Sequence, residues 1–270
     1  MIFALIAICI LGLGALIYGW FDTRRFARRR REIRLDRLPP AVDGFTILQV
    51  SDLHNNAYGP DGLGLIRVME GLSFDVVAIT GDLLDRHRPA RRDKGYGFAR
   101  EAAKRWPTYF VQGNHEWRIG GWQGIKKDLS EMGVRVLDNE RVSIARGDDR
   151  LNLLGVGEKV TLKEMQTLIV PNTCSILLAH HPERIDDYAC AGADLVLSGH
   201  AHGGQVRLFG RGLYSPGQGV LPRYTSGVYA RGKTKLYVSR GAGNHSFLPP
   251  RVFNRPQIDL ITLKAKTPSR

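Results

Sequence analysis

The fold is decided by a strand-like apolar run that ends in polar side chains, FTILQVSDLH at residues 45–54. Four later segments repeat this arrangement, each with an apolar run followed at once by Gly, Asp, Asn or His. They are DVVAITGDLLD at 75–85, TYFVQGNHE at 108–116, CSILLAHHP at 174–182 and LVLSGHAH at 195–202. Because amphipathic, helix-like stretches separate these runs, the sequence predicts an α/β protein whose sheets are covered on both faces.

The same patterns predict seven strands and five helices. The strands are Phe45–Val50, Asp75–Thr80, Thr108–Gln112, Leu151–Val156, Cys174–Ala179, Leu195–Ser198 and Lys235–Ser239, and the helices are Gly62–Leu72, Gly97–Trp106, Trp122–Met132, Leu162–Leu168 and Pro182–Ala189. Met132–Arg146 is predicted to form a hairpin, and the polar stretch 86–97 an exposed loop. After His202 the chain is rich in short strands and turns.

Composition and charge limit the possible classes of protein. The chain has 270 residues, of which 43% are hydrophobic and 24% charged, and only three are cysteines. A large core is therefore possible, and a disulfide-stapled mini-protein or a cysteine-ligated zinc site is excluded. The net charge is +13, and residues 203–270 contain 12 Lys and Arg against the single acid Asp259. This basic segment predicts an anionic partner, either a phosphorylated substrate or an anionic lipid. We expect no nucleic acid, because the aromatic residues of the segment are scattered.

The N-terminal 21 residues carry no charged side chain. As a helix they would extend about 31 Å, the thickness of the hydrocarbon layer of a bilayer. A cleaved signal peptide is the alternative, but no basic residue precedes the apolar run and no small-x-small site follows it. Residues 22–37 hold eight Arg against three acids. These arginines predict a single-pass protein of the cell membrane whose globular domain lies on the cytoplasmic side.

Three parts of the chain are predicted from these features. They are a transmembrane anchor at 1–21, a basic and helical juxtamembrane linker at 22–40, and a globular domain at 41–270. Pro39 and Pro40 mark the end of the linker, because proline cannot continue a helix.

The polar residues that follow the strands predict a metal site. Side chains at the carboxyl ends of neighbouring strands in an α/β sheet converge in space. The converging groups here are carboxylates, imidazoles and one amide without a thiolate, a set that suits Mn, Fe or Zn.

Five short motifs, each behind a predicted strand, identify the resemblance. They are D-x-H at 52–54, G-D-x-x-D at 81–85, G-N-H-E at 113–116, H-x-P at 180–182 and G-H-x-H at 199–202. In this order they resemble the calcineurin-like metallophosphoesterases, from about Phe45 to the C-terminus. The resemblance implies a four-layer αββα sandwich, preceded here by the transmembrane helix. S-D-L-H at 51–54 and S-G-H-x-H-G-G-Q at 198–205 are similar to a small bacterial group with N-terminal hydrophobic segments. That group includes enzymes of lipid A assembly that act on UDP-2,3-diacylglucosamine.

The resemblance also implies the roles of the site residues. The metal ligands it implies are Asp52, His54 and His202 for one ion, Asp82 bridging both ions, and Asn114, His180 and His200 for the other. The cofactors would be two divalent ions, Mn in preference to Fe or Zn, which activate a hydroxide for attack on phosphorus. His115 would be the catalytic residue that stabilises the phosphate or protonates the leaving oxygen.

Three neighbours of these residues also have expected roles. Glu116 is expected to orient His115. His181 competes with His180 for one ligand position, and the H-x-P motif favours His180. Asp85 is either a helix N-cap or a contact that supports the ligands.

The expected function is hydrolysis of a phosphodiester or pyrophosphate bond in a lipid-linked substrate at the membrane, such as UDP-2,3-diacylglucosamine. An alternative is a phosphatase or phosphodiesterase of soluble phosphoesters or phosphoproteins. A membrane-tethered binding protein without turnover is less favoured, because a pure binder has no need of seven ligands and His115. The bond cleaved, the metal used in the cell and the oligomeric state stay open.

Overall fold

The computed structural model describes residues 1–23, 25–59, 62–244 and 251–266. Sixteen strands lie in these ranges: β1 Ala27–Leu35, β2 Thr46–Val50, β3 Val76–Thr80, β4 Thr108–Val111, β5 Arg135–Val136, β6 Glu140–Arg146, β7 Asp149–Gly155, β8 Ser175–Leu178, β9 Leu195–Ser198, β10 Arg207–Leu208, β11 Arg211–Gly212, β12 Tyr214–Ser215, β13 Gly219–Val220, β14 Gly227–Arg231, β15 Thr234–Val238 and β16 Gln257–Ala265. The α-helices of the same ranges are α1 Ile2–Asp22, α2 Gly64–Glu70, α3 Arg92–Ala103, α4 Asn114–Ile119, α5 Trp122–Glu131, α6 Leu162–Leu168 and α7 Ile185–Ala191.

Two six-stranded sheets form the centre of the domain. The first has the order β1-β16-β2-β3-β4-β5 and the second the order β14-β15-β9-β8-β7-β6. Strands β2 to β5 are parallel to one another, as are β7, β8, β9 and β15. Parallel neighbours end at the same edge of a sheet, so the segments that follow β2, β3 and β4, and those that follow β8 and β9, are brought together.

Neighbouring residues of each strand point to opposite faces of the sheet. Ile47 and Ile176 are buried in the layer between the two sheets. Leu48 faces the other way and packs with α2, α3 and α5, while Leu177 packs with α6 and α7. The architecture is therefore the expected four-layer αββα sandwich, and the near-continuous apolar strands are explained by burial on both faces.

The seven predicted strands and five predicted helices all correspond to observed elements. The structure corrects two other expectations, a hairpin and a loop. The predicted hairpin at Met132–Arg146 is wrong, because β5 belongs to the first sheet and β6 to the second. Leu137 lies buried between the sheets where the chain crosses, and the hairpin is instead formed by β6 and β7. The predicted loop at 86–97 ends early, since α3 already begins at Arg92 after a short turn that starts at Pro89.

The basic segment after α1 is a strand and neither a helix nor a free linker. Strand β1 pairs in parallel with β16, with Ala27 opposite Gln257. Ile33 and Leu35 are 2% exposed and contribute to the core between the sheets, whereas Arg28–Arg31 are exposed. The burial of alternate apolar residues explains the strand. The exposed arginines on this edge disfavour pairing with a further strand.

Helix α1 is, within the described residues, the one helix that is long and apolar enough to cross a membrane. Most of its large apolar side chains are exposed. In the described part of the chain its contacts with the domain are at its C-terminal end: the rings of Tyr18 and Phe253 are 5.1 Å apart, and Asp22 pairs with Arg255 at 2.7 Å. This end lies beside the start of β16, at the edge of the first sheet where β2 ends.

Strand β1 gives a direct stability test. We expect Ile33→Ala in the full chain to lower the free energy of unfolding by about 2–4 kcal/mol, because a buried side chain is lost from the core. Arg30→Ala, on the exposed part of the same strand, should change it by less than about 0.5 kcal/mol. Denaturant unfolding in detergent measures both. Equal effects would mean that β1 does not contribute to the core.

Candidate metal centre

All seven predicted metal ligands lie at one edge of the two sheets, in the segments that follow β2, β3, β4, β8 and β9. They are buried, with at most 5% of each residue exposed: Asp52, His54, Asp82, Asn114, His180, His200 and His202. So many carboxylates and imidazoles are stable in a protein interior only when they are paired or bind a cation.

Three of these side chains form a first group. Ligand atoms of Asp52, His54 and His202 all lie within 4.8 Å of one another. The Nε2 atoms of the two histidines are 3.1 Å apart, and that of His202 is 3.6 Å from Asp52 Oδ1. The backbone N–H of His200 donates to both oxygens of Asp52, at 3.0 and 3.2 Å, which fixes the orientation of the carboxylate.

Asp82, His180 and His200 form a second group within the same 4.8 Å limit. His180 Nε2 is 3.2 Å from Asp82 Oδ2 and 3.2 Å from the side-chain oxygen of Asn114. The same oxygen of Asp82 is 3.7 Å from His54 Nε2 in the first group. The carboxylate of Asp82 therefore lies between the two groups, as a bridging ligand must.

The donor atoms of the second group fit a divalent cation. His180 Nδ1 donates to the backbone oxygen of Thr80 at 2.8 Å, so in the neutral ring Nε2 presents a lone pair to two further acceptor oxygens. Such an arrangement is stable only with a cation among these atoms. Without a metal, a proton fills this role: burial lowers the pKa of His180, but the Asp82 carboxylate outweighs burial and raises it to about 10.

The backbone at the site is strained. Five of the seven predicted ligands have positive φ angles between 45° and 66°: Asp52, His54, Asp82, His200 and His202. This region is uncommon for residues other than glycine and costs about 1–3 kcal/mol for each residue, and such strain is typical of functional sites.

Comparison with known proteins agrees with this geometry. The pattern of the family described as Calcineurin-like phosphoesterase matches residues 45–204. The chain belongs to this family. It is 30% identical to the uncharacterized metallophosphoesterase YkoQ of Bacillus subtilis over 81% of this chain and 83% of that protein. It is 28% identical to the phosphodiesterase YaeI of Escherichia coli over 91% and 89% of the two chains. The family and these relatives identify a hydrolase of phosphoester bonds.

Two further comparisons give a relative named as a transmembrane protein and a solved structure with a similar fold. A bovine transmembrane protein with metallophosphoesterase domain is 29% identical over 87% of this chain, which spans 56% of the bovine protein. The structure of a Thermus thermophilus sulfate thiohydrolase, SoxB, superposes with a TM-score of 0.52, 17% identity, and coverage of 84% of this chain and 57% of that one. At this identity the second likeness concerns the fold alone.

In this phosphoesterase His115 is oriented by Asp85 and not by Glu116. His115 Nδ1 lies 3.3 Å from Asp85 Oδ1 and 3.2 Å from the backbone N–H of Arg86. Asp85 also accepts the backbone N–H of His87 at 2.9 Å and lies well before α3, so it is not the N-cap of that helix.

The expected role of Glu116 is wrong. Its carboxylate accepts the backbone N–H groups of Asp82, Leu84 and Gly113 at 2.8–3.0 Å and so fixes the two loops that carry Asp82 and Asn114. Burial, together with the nearby charge of Asp82, raises the pKa of Glu116 to about 7.

The structure distinguishes the two adjacent histidines. His180 contacts Asp82 and Asn114, as the H-x-P motif led us to expect. His181 points toward two glutamates, with Nε2 2.6 Å from Glu158 and Nδ1 2.9 Å from Glu183. These contacts support the choice of His180.

Sequence reasoning missed the role of Arg251. Its side chain is completely buried, with one guanidinium nitrogen 3.2 Å from His202 Nδ1 and another donating to the backbone oxygen of Arg240 at 2.6 Å. Burial lowers its pKa to about 10. Arg251 lies outside the five motifs, and nothing in the sequence indicated a contact with His202.

Gly113 gives a test of the site in which none of the candidate ligands is itself substituted. A Cβ at this position would overlap Asp82 Oδ1 and its backbone nitrogen, although the φ angle of −102° suits alanine. We expect Gly113→Ala to displace Asp82 and to remove most of the tightly bound metal, measured by elemental analysis after reconstitution with Mn²⁺. Gly97→Ala is the control, because a Cβ there meets nothing within 4 Å. Normal metal content in Gly113→Ala would contradict the placement of Asp82.

Proposed function

We propose that this phosphoesterase binds two divalent metal ions and hydrolyses a phosphodiester or pyrophosphate bond in a lipid-linked substrate at the cytoplasmic membrane surface. The observation that carries the proposal is the contact between the end of α1 and the wall of the metal centre. Helix α1 packs at Gly19 against the backbone of Arg251, and the guanidinium of Arg251 lies against His202. A substrate held in the membrane would therefore lie close to the metal ligands.

We assign the ligands as two sets that share Asp82. One ion would be held by Asp52, His54, Asp82 and His202, and the other by Asp82, Asn114, His180 and His200. The distances between donor atoms support this division. Mixed carboxylate, imidazole and amide donors suit Mn²⁺, with Fe and Zn as alternatives. When bound, the ions would polarise the phosphoryl oxygens and supply a nucleophile at neutral pH.

His115 is assigned as the acid that protonates the leaving oxygen. Its ring lies 4.5 Å from that of His54, and its Nδ1 lies 3.3 Å from Asp85 Oδ1, a carboxylate that would accept the Nδ1 proton and hold the ring in place. Burial opposes protonation of this ring, but the carboxylates of Asp82 and Asp85 outweigh it, so the pKa lies above its ordinary value. Imidazole is suited to this step because its ordinary pKa lies near neutrality, so it can both hold and release a proton.

The leading candidate for the substrate is UDP-2,3-diacylglucosamine. Its support is the resemblance to the bacterial group that includes enzymes acting on it, together with the anchor. A lipid-linked substrate exists only at the membrane, and tethering raises its effective concentration around the enzyme. The arginines that follow α1 support a cytoplasmic domain. We place the start of that domain at Ala27, because β1 is part of the first sheet, with the anchor at 1–21.

Two substitutions separate the metal centre from the acid. We expect Asp82→Ala to lose bound metal and nearly all turnover. His115→Ala should keep its metal while turnover falls by about 10²–10⁴, as for other lost acid catalysts. The loss should be smaller for a soluble diester with a very acidic leaving group, which needs little protonation. Metal content and kcat, measured on the same preparations, distinguish a metal ligand from an acid catalyst. Loss of metal from His115→Ala would show that His115 is a ligand.

The anchor is tested by comparing the full chain with a fragment that begins at Asp22. This boundary keeps β1 and the Asp22–Arg255 ion pair. We expect the full chain to be much faster on UDP-2,3-diacylglucosamine in vesicles, because enzyme and substrate share one layer, and equal to the fragment on a short soluble diester. The soluble substrate also shows that the fragment is folded. Equal rates on both substrates would favour a soluble phosphoester as the substrate.

A further inference from the structure

Three bulky apolar residues near the metal centre combine exposure with backbone strain. Phe209, Leu221 and Phe253 are 104%, 71% and 57% exposed. Their φ angles are 49°, 53° and 53°, in the left-handed region where large side chains are genuine outliers. Among the described residues, little packing covers these three side chains, and backbone preference does not favour bulky residues at positive φ. An apolar environment outside the domain would stabilise them.

These residues belong to one connected layer, which we call the rim surface. Its exposed apolar residues are Leu208, Phe209, Tyr214, Val220, Leu221 and Phe253. Backbone hydrogen bonds join its parts: Arg207 donates to Val252 at 3.0 Å, and Leu221 donates to Leu213 at 2.9 Å. Leu213 in turn donates to Val206, which forms a bridge with Val252. The layer therefore runs without a break from β10 to the segment that contacts α1.

The rim surface continues the exposed apolar surface of α1. Phe253 lies against Tyr18, with ring centroids 5.1 Å apart. Tyr18 precedes the last helical residue, Asp22, by about 6 Å along the helix axis. When α1 spans a bilayer, Phe253 thus lies at the boundary between headgroups and acyl chains, where aromatic rings are favoured.

The exposed charges that the segment of the rim surface itself supplies are basic. Arg211 and Arg223 are exposed next to Leu208 and Leu221. Asp259, the single acid after residue 202, is completely buried and accepts hydrogen bonds from Tyr237 and Ser239. Apolar tips flanked by exposed arginines match an anionic bilayer, which offers acyl chains below and phosphates above.

The segment that carries the rim surface also covers the metal centre. Gly217 lies between β12 and β13, and a Cβ at this position would be 3.0 Å from His200 Nε2. We propose that the rim surface inserts into the anionic leaflet and that the metal centre receives its lipid-linked substrate directly from that leaflet. Insertion rests on the geometry together with the proposed membrane span of α1, and the delivery of a lipid substrate rests on the proposed function.

The first experiment measures insertion without catalysis. The full chain, with Cys9→Ser and Cys190→Ser, carries Phe209→Cys labelled with an environment-sensitive fluorophore, since Cys174 is buried. In vesicles of phosphatidylcholine and phosphatidylglycerol we expect quenching by nitroxide lipids and protection from aqueous iodide. The control is Asp148→Cys, an exposed position in the β6–β7 turn at the opposite end of the strands, where iodide should quench.

Two results would overturn the insertion. Iodide quenching at position 209 equal to that at 148 would place the rim surface in water. Protection from both quenchers would place it against protein, such as a second copy of this chain.

The second experiment uses strain to separate folding from function. Asparagine tolerates positive φ, so Phe209→Asn and Leu221→Asn should leave Tm unchanged or raise it. We expect their turnover of UDP-2,3-diacylglucosamine in vesicles to fall by about tenfold or more, as the loss of a buried Phe or Leu side chain implies. Turnover of a soluble diester should be unchanged. Val228→Asn, which removes an exposed apolar side chain outside the rim surface, should keep both activities.

The two proposals fail differently. Quenching by nitroxide lipids with no lipid turnover by the parent chain would leave the insertion standing and overturn the lipid substrate. Lipid turnover that is unchanged in Phe209→Asn and Leu221→Asn would overturn the role of the rim surface and leave the proposed function standing.

Discussion

The position of the Asp82 carboxylate is the constraint on which the rest of the site depends. One of its oxygens accepts the backbone N–H of His115 at 2.8 Å, and the other faces His180 and His54 at 3.2 and 3.7 Å. It therefore holds together the loops that follow β3 and β4 and both groups of candidate ligands. Asp82, Asp52 and Glu116 are at most 2% exposed, so three carboxylates share one interior region. Their mutual repulsion and lost hydration require cations nearby, and the surrounding imidazoles accept either protons or metals.

The local backbone follows from this requirement. Candidate ligand atoms on separate loops lie close enough to share one metal ion only when each strand ends abruptly and the chain reverses direction at once. Left-handed residues such as Asp52 and Asp82 produce such turns, and the β sandwich behind them stabilises the strained conformations. The loops that follow the strands can also approach one another closely only where one of them carries a residue without a side chain. At Gly199 a Cβ would overlap Ser51 and Asp52, so glycine there is a consequence of how closely β9 approaches β2.

Much of the fold and the site could be predicted from the sequence because they depend on local patterns. Apolar runs of strand length marked the parallel strands, and polar residues at their ends marked the ligands that converge. The features that were not predicted depend on contacts between residues far apart in the sequence. Strand β1 is an arginine-rich segment whose only clue is the pair Ile33 and Leu35, and it pairs with residues more than two hundred positions later. The contacts of Glu116 with the backbone N–H groups of Asp82 and Leu84, and of Arg251 with His202, likewise arise only when distant loops meet.

Helix α1 and the candidate metal centre are parts of one packed structure. A Cβ on Gly19 would lie 2.6 Å from the backbone oxygen of Arg251, so the helix rests directly on the segment whose guanidinium contacts His202. Asp22 is 6% exposed and pairs with Arg255, which fixes the direction in which α1 leaves the domain. A helix joined by a flexible linker would raise the local concentration of the enzyme but would leave its orientation free. Here β1 follows α1 after four residues and is bound into the first sheet, so the helix axis and the sheet edge with the candidate ligands have a fixed relation. A membrane anchor at α1, as proposed above, would therefore orient the candidate metal centre relative to the bilayer as well as attach it.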